Sequence, residues 1–355
     1  MKKWLLMIAV LVLGACSDKP APEKAGNAAN TGSQKIVIYN WTEYIPAEVL
    51  TAFTKETGIQ VEYATYESNE AMYAKVKLLD GKGYDLVVPS TFYVEKMLKE
   101  GLLQPIDKSQ LSNIGNLDAA LMNKPYDPGN EYSIPYLWGS TAIAVNGQDL
   151  DASQITRWSD LWKPEYAGKL MLMDDVRDNF LMALKVAGFE NNTTDENEIR
   201  QAYEKLKELR PSIKMFNSDA PKVPFIQGNV SLGVIWNGEA YMAQEEMDDL
   251  VYIYPEEGAV LWVDSFVIPK GAANVENAHK FIDFMLRAES AKAAIEELGY
   301  AAPNTAAMPL LDEALRHNKT VFPDEEDIAK GSFHQDLGDA ILIYEKYWEM
   351  FKAGH

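Results

Sequence analysis

The chain has 355 residues, of which 33 are Lys or Arg and 53 are Asp or Glu, so its formal net charge is −20. A field of that sign repels nucleic acid and anionic lipid and attracts cations, which argues against a nucleic-acid-binding function. Cys16 is the only cysteine, so no disulfide can form within the chain.

The N-terminal segment has the composition of an export signal. Two lysines precede an apolar run from Trp4 to Leu13, and a Gly-Ala pair separates that run from Cys16. The run is too short to span a bilayer, since a spanning helix needs about 20 residues. Residues 13–16, LGAC, resemble the bacterial lipobox, so we expect residues 1–15 to be a signal peptide and Cys16 to be lipidated. An ordinary secretory signal followed by an incidental cysteine is the alternative.

A polar linker follows the signal. The stretch SDKPAPEKAGNAANTGSQ, residues 17–34, has no large apolar side chain and cannot bury enough surface to fold. We therefore expect residues 16–35 to be the lipidated cysteine and a flexible tether. The remaining body of about 320 residues exceeds what one compact core usually holds, which predicts two lobes.

Strands and helices alternate at the start of the body. The β-branched run KIVIY at 35–39 predicts a strand, and Pro46 and Gly58 mark the two ends of a helix. A second strand, a second helix and a third strand follow at 59–66, 69–79 and 84–88. This βαβαβ order indicates a parallel sheet with crossover helices.

A second set of alternating strands and helices begins after about residue 140. The sequence shows no repeat of 20–50 residues, which argues against a solenoid. The predicted strands of this set are 169–173, 230–236 and two short β runs within 251–269. Its predicted helices are 176–187, 199–209, 276–286, 288–298 and an amphipathic helix over 338–352.

Aromatic rings and carboxylates recur where the predicted strands end. In open α/β sheets, ligands bind beyond the C-terminal ends of strands. The groups at these positions are Trp41, Thr42, Glu43 and Tyr44; Ser90 and Phe92; Asp174, Asp175 and Asp178; Trp236, Asn237 and Glu239; and Trp262 and Asp264. Aromatic faces attract cations, and carboxylates accept charge-assisted hydrogen bonds from ammonium groups. The pairing predicts a site for an elongated organic cation, whose methylenes lie between rings.

Other interpretations of these residues are weaker. A single tryptophan is most often part of the core, and Thr42 or Asp175 could be only a helix cap. The aspartates at 174, 175 and 178 could hold calcium, but their loop lacks the EF-hand pattern. Two carboxylates in a groove could serve a glycosidase, which is the best enzyme alternative, although no acid and nucleophile pair is singled out.

Patterns typical of catalysis or of resident metals are absent from the sequence. The histidines are scattered without metal-ligand spacing, and there is no G-x-S-x-G elbow, Walker A loop or G-x-G-x-x-G motif. We therefore predict a binding protein without cofactor or metal, and not an enzyme. The histidines are His279, His317, His334 and His355.

Several long runs of the sequence point to a known family. They are IVIYNWTEYIP, TKETGIQVEYATYESNEAMYAKVK, YDLVVPSTFYVEKM, NKPYDPGNEYSIPYLWGSTAIAVNG, LGVIWNGEA and ELGYAAPNTAA. In this order they resemble the spermidine/putrescine-binding proteins of bacterial polyamine ABC transporters, and the likeness extends from about Ile36 to the C-terminus.

This resemblance implies a type II periplasmic-binding-protein fold, with two lobes that each have a central sheet flanked by helices. It implies a first lobe of residues 36–139 plus 263–308 and a second of residues 140–262 plus 309–355. The implied function is that of a periplasmic lipoprotein that binds polyamine in the interlobe cleft as a monomer and delivers it to the permease subunits of an ABC importer. A same-fold protein for another small ligand, such as an amino acid derivative or oligosaccharide, is the alternative.

The resemblance also implies a set of ligand-binding residues. Three of them depart from the family pattern: Phe92 replaces a tyrosine, Asp178 a glutamate and His334 a glutamine, which leaves the preference between spermidine and putrescine open. A protonated His334 would oppose an ammonium group, so we expect affinity to fall at mildly acidic pH. The implied residues are Trp41, Thr42, Glu43, Tyr44, Ser90, Phe92, Asp175, Asp178, Trp236, Trp262, Asp264, Tyr300 and His334.

The predicted anchor can be tested by fractionation. We expect Cys16→Ser to move the protein from the membrane to the soluble fraction of the cell while ligand binding is retained, because the tether separates the anchor from the cleft. Immunoblotting of the fractions, with fatty-acid labelling of the parent, measures both properties. Membrane retention of the variant at the level of the parent would contradict lipidation at Cys16.

Overall fold

The computed structural model describes residues 34–354. The predicted signal peptide, the predicted lipidation site at Cys16 and all but the last two residues of the predicted tether lie outside the described residues. Among residues 34–354, no helix combines the length and the apolar character that crossing a bilayer demands.

Eleven strands and twelve α-helices make up the regular structure of residues 34–354. The strands are β1 Lys35–Trp41, β2 Gln60–Tyr66, β3 Leu86–Val87, β4 Leu103–Gln104, β5 Ser133–Asn146, β6 Leu170–Leu172, β7 Ile213–Phe216, β8 Leu232–Trp236, β9 Leu250–Ile253, β10 Val260–Pro269 and β11 Ser332–Phe333. The helices are α1 Ala47–Thr57, α2 Asn69–Leu78, α3 Thr91–Lys99, α4 Val176–Ala187, α5 Glu196–Leu209, α6 Lys222–Ile226, α7 Asn237–Gln244, α8 Val275–Met285, α9 Ala288–Leu298, α10 Glu313–Arg316, α11 Glu325–Lys330 and α12 Ile341–Ala353.

Every strand and helix predicted from the sequence is present. Pro46 precedes the first residue of α1, and Gly58 follows its last residue with φ 73°, the left-handed conformation that favours glycine. The sequence-based prediction missed β5, which has 14 residues, and the shorter elements β4, β7, β11, α3, α6, α7, α10 and α11. Thirteen of the fourteen β5 residues are buried, so the strand shows no apolar-polar alternation, and Pro135 and Gly139 interrupt its strand-type composition.

The sheet consists of two parallel sets joined by an antiparallel pair. Its order is β2-β1-β3-β10-β5-β8-β6-β7. Strands β2, β1 and β3 run parallel, as the βαβαβ order predicted, and β8, β6 and β7 form a second parallel set. Between them, β10 and β5 run antiparallel to each other and to the neighbouring strands β3 and β8.

The fold has two lobes, and each packs helices on both faces of its part of the sheet. In the first lobe, α1, α8 and α9 pack on one face, while α2 and α3 pack on the other. In the second lobe, α4, α5 and α12 cover one face, and α6 and α7 cover the other. The predicted two-lobed α/β fold is confirmed.

Strand β5 belongs to both lobes. Ile134 and Leu137 in its first half pack in the core of the first lobe, whereas Ile143 and Val145 in its second half pack in the core of the second. Strand β10 pairs with β5 along most of its length. The two strands therefore connect the lobes, and the C-terminal ends of both parallel sets lie beside this connection.

Asp85 is a buried carboxylate with a structural environment. Its Oδ1 accepts hydrogen bonds from the backbone N–H groups of Ala273 (3.0 Å) and Asn274 (2.8 Å), and its Oδ2 accepts from Val37 N (2.8 Å) and Asn274 Nδ2 (2.9 Å). The residue is 2% exposed. It joins β1 to the residues that precede α8.

We expect Asp85→Asn to lower the free energy of unfolding by about 1.5–3 kcal/mol, because the new NH2 group faces N–H donors and hydrogen bonds to a charged acceptor are lost. Urea unfolding measures this change. Asp151→Asn is the matched control, since Asp151 is an exposed cap whose carboxylate accepts from Ser153 N and Asn caps equally well. Equal stability of the two variants would contradict the structural role of Asp85.

Candidate ligand-binding site

One cavity lies between the lobes, where strands of both parallel sets end. Its space, with the open mouth of the cleft included, is about 730 Å³. The thirteen residues that the resemblance implied all line it: Trp41, Thr42, Glu43, Tyr44, Ser90, Phe92, Asp175, Asp178, Trp236, Trp262, Asp264, Tyr300 and His334. Six further residues complete the lining: Tyr66, Glu67, Asn69, Ser218, Asp219 and Glu239.

The lining is both aromatic and acidic. The aromatic residues are Trp41, Tyr44, Tyr66, Phe92, Trp236, Trp262 and Tyr300. The carboxylates are Glu43, Glu67, Asp175, Asp178, Asp219, Glu239 and Asp264. No lysine or arginine is among the described lining residues. Such a cleft favours a cation with apolar segments.

Asp264 lies on β10 at the centre of this arrangement. Its Oδ1 accepts a hydrogen bond from Ser90 Oγ (2.6 Å), and its Oδ2 accepts one from the Tyr44 hydroxyl (2.8 Å). The residue is 4% exposed. Burial raises the pKa of Asp264 to about 7, although both hydrogen bonds lower it. A cation beside Asp264 would therefore favour its ionised form.

Ser90 is held in place by Asn69, a residue that sequence reasoning missed. Ser90 N donates to Asn69 Oδ1 (3.1 Å), and Asn69 Nδ2 donates to Ser90 Oγ (3.0 Å). The Ser90 hydroxyl accepts from Asn69, so its own proton is directed to Asp264. Both residues are buried. Asn69 is thus a positioning residue for the hydroxyl that contacts the acid.

Asp175 and Asp178 form a second acidic position at the start of α4. The carboxylate of Asp175 caps the helix by accepting from Asp178 N (2.9 Å), so the expected capping role and a place in the cavity coexist. Burial, followed by the charge of Asp178, raises the pKa of Asp175 to about 7. Burial likewise raises the pKa of Asp178 to about 6, while the hydrogen bond from Thr141 Oγ1 (2.7 Å) lowers it.

His334 contacts Asp178 as a neutral ring. Its Nδ1 lies 3.3 Å from Arg177 Nη2, which can only donate, so Nδ1 accepts and Nε2 carries the proton. His334 Nε2 then donates to Asp178 Oδ1 (2.8 Å). Burial, reinforced by the charge of Arg177, keeps the pKa of His334 well below its usual range. The expectation that His334 gains charge at mildly acidic pH is therefore wrong, and the buried acids are the groups that titrate there.

The rings meet across the cavity. The centroids of Trp41, at the end of β1, and Trp236, at the end of β8, are 6.1 Å apart with an interplanar angle of 70°. Tyr300 makes edge contacts with both Trp262 (5.3 Å) and Tyr44 (5.4 Å). Rings from both lobes thus form adjoining walls, between which a methylene chain could lie.

Gly139 on β5 makes room for Trp262. A Cβ at position 139 would lie 2.7 Å from two ring carbons of Trp262 and 2.2 Å from Asn237 Oδ1. The Nε1 of Trp262 is buried without a hydrogen-bond partner among the described residues. Any side chain at 139 would therefore displace either the ring or the amide.

Some lining residues that the prediction omitted also lie at or just beyond the C-terminal ends of strands, where ligands bind in open α/β sheets. Tyr66 ends β2 and is followed by Glu67, while Ser218 and Asp219 follow β7 closely. The same rule that selected Trp41 and Trp236 could have found them. Asp174 also follows a strand, but its carboxylate accepts a hydrogen bond from Trp348 Nε1 (2.9 Å) and does not line the cavity.

Among residues 34–354, no group of His, Cys, Asp and Glu has the arrangement of a metal site.

Comparison with known proteins agrees with this geometry. The sequence pattern of the family described as bacterial extracellular solute-binding protein matches residues 48–322. The chain belongs to this family. A spermidine/putrescine-binding periplasmic protein of Escherichia coli (strain K12) is 50% identical over 357 residues, which cover 100% of both chains. Spermidine/putrescine-binding periplasmic protein 1 of Haemophilus influenzae is 42% identical, covering 96% of this chain and 95% of that protein.

Solved structures of the family share the fold of this solute-binding protein. A putative spermidine/putrescine ABC transporter protein from Listeria monocytogenes has a TM-score of 0.87 at 36% identity, covering 91% of this chain and 100% of that chain. A spermidine/putrescine ABC transporter substrate-binding protein from Streptococcus pneumoniae has a TM-score of 0.77 at 40% identity, with coverage of 91% and 99%.

The raised pKa of Asp264 predicts a pH-dependent stability of the ligand-free solute-binding protein. The folded pKa of about 7 exceeds the unfolded value of about 3.9, so the folded state binds more protons between these values. The contribution of Asp264 to stability is therefore lost as pH rises through this window and levels off above it. Asp264→Asn removes this titration.

We expect the stability of the parent relative to Asp264→Asn to fall by about 1 kcal/mol or more between pH 5 and pH 7. Urea unfolding of both ligand-free proteins at pH 5, 6, 7 and 8 provides the measurement. Parallel pH profiles for the two proteins would show that Asp264 titrates at its ordinary value.

Proposed function

We propose that this protein binds polyamines, spermidine or putrescine, in the cleft between its lobes and delivers them to an ABC importer. The observation that carries the proposal is Asp264, a carboxylate buried beside aromatic walls, which has two hydroxyl donors and no ion pair with a lysine or arginine of residues 34–354. Relatives named for spermidine and putrescine binding that are about half identical over the full length support it. Like them, the protein is a periplasmic solute-binding protein and not an enzyme.

The proposed binding mode assigns one ammonium group to each buried acidic position. One ammonium lies at Asp264, and another lies at the Asp175 and Asp178 pair. The methylenes between them pass the rings of Trp41, Trp236 and Trp262. Each ammonium replaces a missing countercharge, so part of the cost of burying the acids is recovered on binding.

Binding would link the lobes because the contributing groups come from both. Asp264 and Tyr44 contact each other within the first lobe's side of the cleft, whereas Asp175 and Asp178 start α4 of the second lobe. A ligand that contacts both sets favours the arrangement in which they are close together. The crossing strands β5 and β10 are the proposed hinge.

The proposed lobe boundaries follow the membership of the two cores. Residues 36–139 plus 263–308 are assigned to the first lobe and 140–262 to the second. Leu311, Leu315 and Val321 also pack in the first core, whereas Leu337 and Ile341 pack in the second. We therefore place the third crossing after Val321, which transfers residues 309–321 from the second lobe to the first.

The remaining parts of the proposal concern attachment and partners. Lipidation at Cys16 would tether the protein to a bacterial membrane, and the permease subunits of the importer are its proposed protein partners. The protein is proposed to act as a monomer, since one chain supplies every group of the cleft.

Calorimetric titration with putrescine and with spermidine tests the proposed function. We expect the parent to bind at least one of them and Asp264→Asn to bind at least tenfold more weakly, a loss of about 1.4 kcal/mol or more, because a buried ammonium loses its charged partner. Asp151→Asn, which removes the same charge outside the cleft, is expected to bind like the parent. A parent that binds neither polyamine would refute the function, and normal binding by Asp264→Asn would refute the site.

A further inference from the structure

Lys222 reaches two of the cleft acids although it does not itself line the cavity. Its Nζ donates to Glu43 Oε2 (2.7 Å) and lies 3.8 Å from Glu239 Oε1. Glu43 follows β1 of the first lobe, and Glu239 lies on α7 of the second. The lysine therefore joins acids of both lobes at one end of the cleft.

The position of this ammonium group is fixed from two directions. Lys222 is the first residue of α6, and its backbone N–H donates to Glu239 Oε2 (3.0 Å). Its side chain is only 18% exposed. The charges of Glu239 and Glu43 raise the pKa of Lys222 against the opposing effect of burial, so the amine remains protonated. A permanent ammonium group thus stands beside the Glu43 and Glu239 end of the cleft.

The buried acids of the cleft divide into two kinds. Glu239 is 6% exposed and has the Lys222 ammonium nearby. Asp264 and Asp178 are 4% and 5% exposed, and no lysine or arginine of the described residues forms an ion pair with either of them. Their hydrogen-bond donors are the hydroxyls of Tyr44, Ser90 and Thr141 and the neutral ring of His334. They are the acids that still require a cation.

Arg177 does not alter this division. Its Nη1 donates to the carbonyl of Gln335 (3.1 Å), and its Nη2 donates to Asn192 Oδ1 (2.8 Å). The guanidinium stands behind His334, where it fixes the tautomer of the ring, and the ring stands between it and Asp178. Arg177 lowers the pKa of Asp178 through its charge, an effect smaller than that of burial.

We infer that Lys222 limits the length of the ligand by neutralising, from outside the cavity, the two acids at one end of the cleft. The inference rests on the proposed polyamine binding. Two positions then remain, one at Asp264 and one at the Asp175 and Asp178 pair, which suits a diamine of the putrescine class. A triamine would bring its third ammonium towards the Glu43 and Glu239 end, where it would meet Lys222 and a pair of acids that is already neutralised. Like charges in a partly buried site repel strongly.

Removing the Lys222 ammonium would leave Glu43 and Glu239 without the cation that now pairs with them. Glu239 would remain buried, with burial raising its pKa, and Glu43 would lose its partner. A third ammonium from a longer ligand would restore the charge balance at that end. Loss of Lys222 should therefore improve the binding of spermidine and change that of putrescine far less.

Titration of parent and variants with putrescine and spermidine tests this inference. The parent is expected to bind putrescine more tightly than spermidine. In Lys222→Met, which keeps the length of the side chain but removes its charge, the spermidine-to-putrescine affinity ratio is expected to rise at least tenfold. Lys222→Gln is a second neutral variant in case methionine disturbs the fold, which thermal unfolding would reveal.

Two controls separate the local contact from charge in general. Lys222→Arg keeps a cation beside the acids and is expected to keep the parent ratio within about threefold. Lys214→Met removes a charge from the same lobe, from an exposed residue that donates to the carbonyl of Asn229, and is also expected to keep the parent ratio. A rise in the ratio for Lys214→Met as large as that for Lys222→Met would overturn the inference.

The outcomes distinguish this inference from the proposed function. Absence of binding of either polyamine by the parent would refute the function itself. Binding of both, with spermidine preferred by the parent or with the same affinity ratio in Lys222→Met and Lys222→Gln as in the parent, would refute only the role of Lys222.

Discussion

Buried carboxylates that form no ion pair with a lysine or arginine in the described part of the chain are the constraint on which the site depends. Asp264 and Asp178 are almost inaccessible to solvent, and taking a charge out of water is costly unless it is paired or hydrogen-bonded. Within residues 34–354, the hydrogen-bond donors to their side chains are neutral: Ser90 and Tyr44 for Asp264, and Thr141 and His334 for Asp178. These donors orient the acids and leave their charge incompletely compensated. Burial therefore raises the pKa of each acid. A cationic ligand beside the acids would supply the missing positive charge.

The topology of the sheet brings these acids together. Two parallel sets of strands end at the same cavity, so residues that follow β1, β3, β6 and β8 converge although they are far apart in sequence. The antiparallel strand β10 adds Trp262 and Asp264, which are two residues apart and face the same side of the sheet. A parallel sheet alone would offer only the last residues of its strands and the loops that follow them. The crossing strand contributes a ring and an acid on a rigid backbone, which fixes their relative position.

Many of the strands and helices, and much of the cavity lining, could be predicted from the sequence because the strands that end at the cavity have clear patterns. Trp41 and Trp236 end strands with clear β-branched patterns, and strand ends meet in an open α/β sheet. The pattern failed for β5, because burial on both faces removes the alternation by which a strand is recognised. The contacts of Lys222 were also beyond reach, since they join α6 to a loop 179 residues earlier in the chain. The protonation of His334 depends on burial and on Arg177, neither of which is visible in a local pattern.

The three residues that differ from those expected from the sequence resemblance contact one another in the structure. Asp178 is one methylene shorter than the expected glutamate, and His334, in place of a glutamine, reaches it through Nε2 at 2.8 Å. Phe92 packs against the His334 ring at 5.5 Å and lies 5.3 Å from the guanidinium carbon of Arg177. Arg177 in turn sets the tautomer that lets His334 donate. The shorter acid, the imidazole donor and the ring without a hydroxyl therefore depend on one another. Lengthening Asp178 alone to glutamate would crowd the imidazole, so a substitution at one of these three positions is expected to change the effect of a substitution at the others.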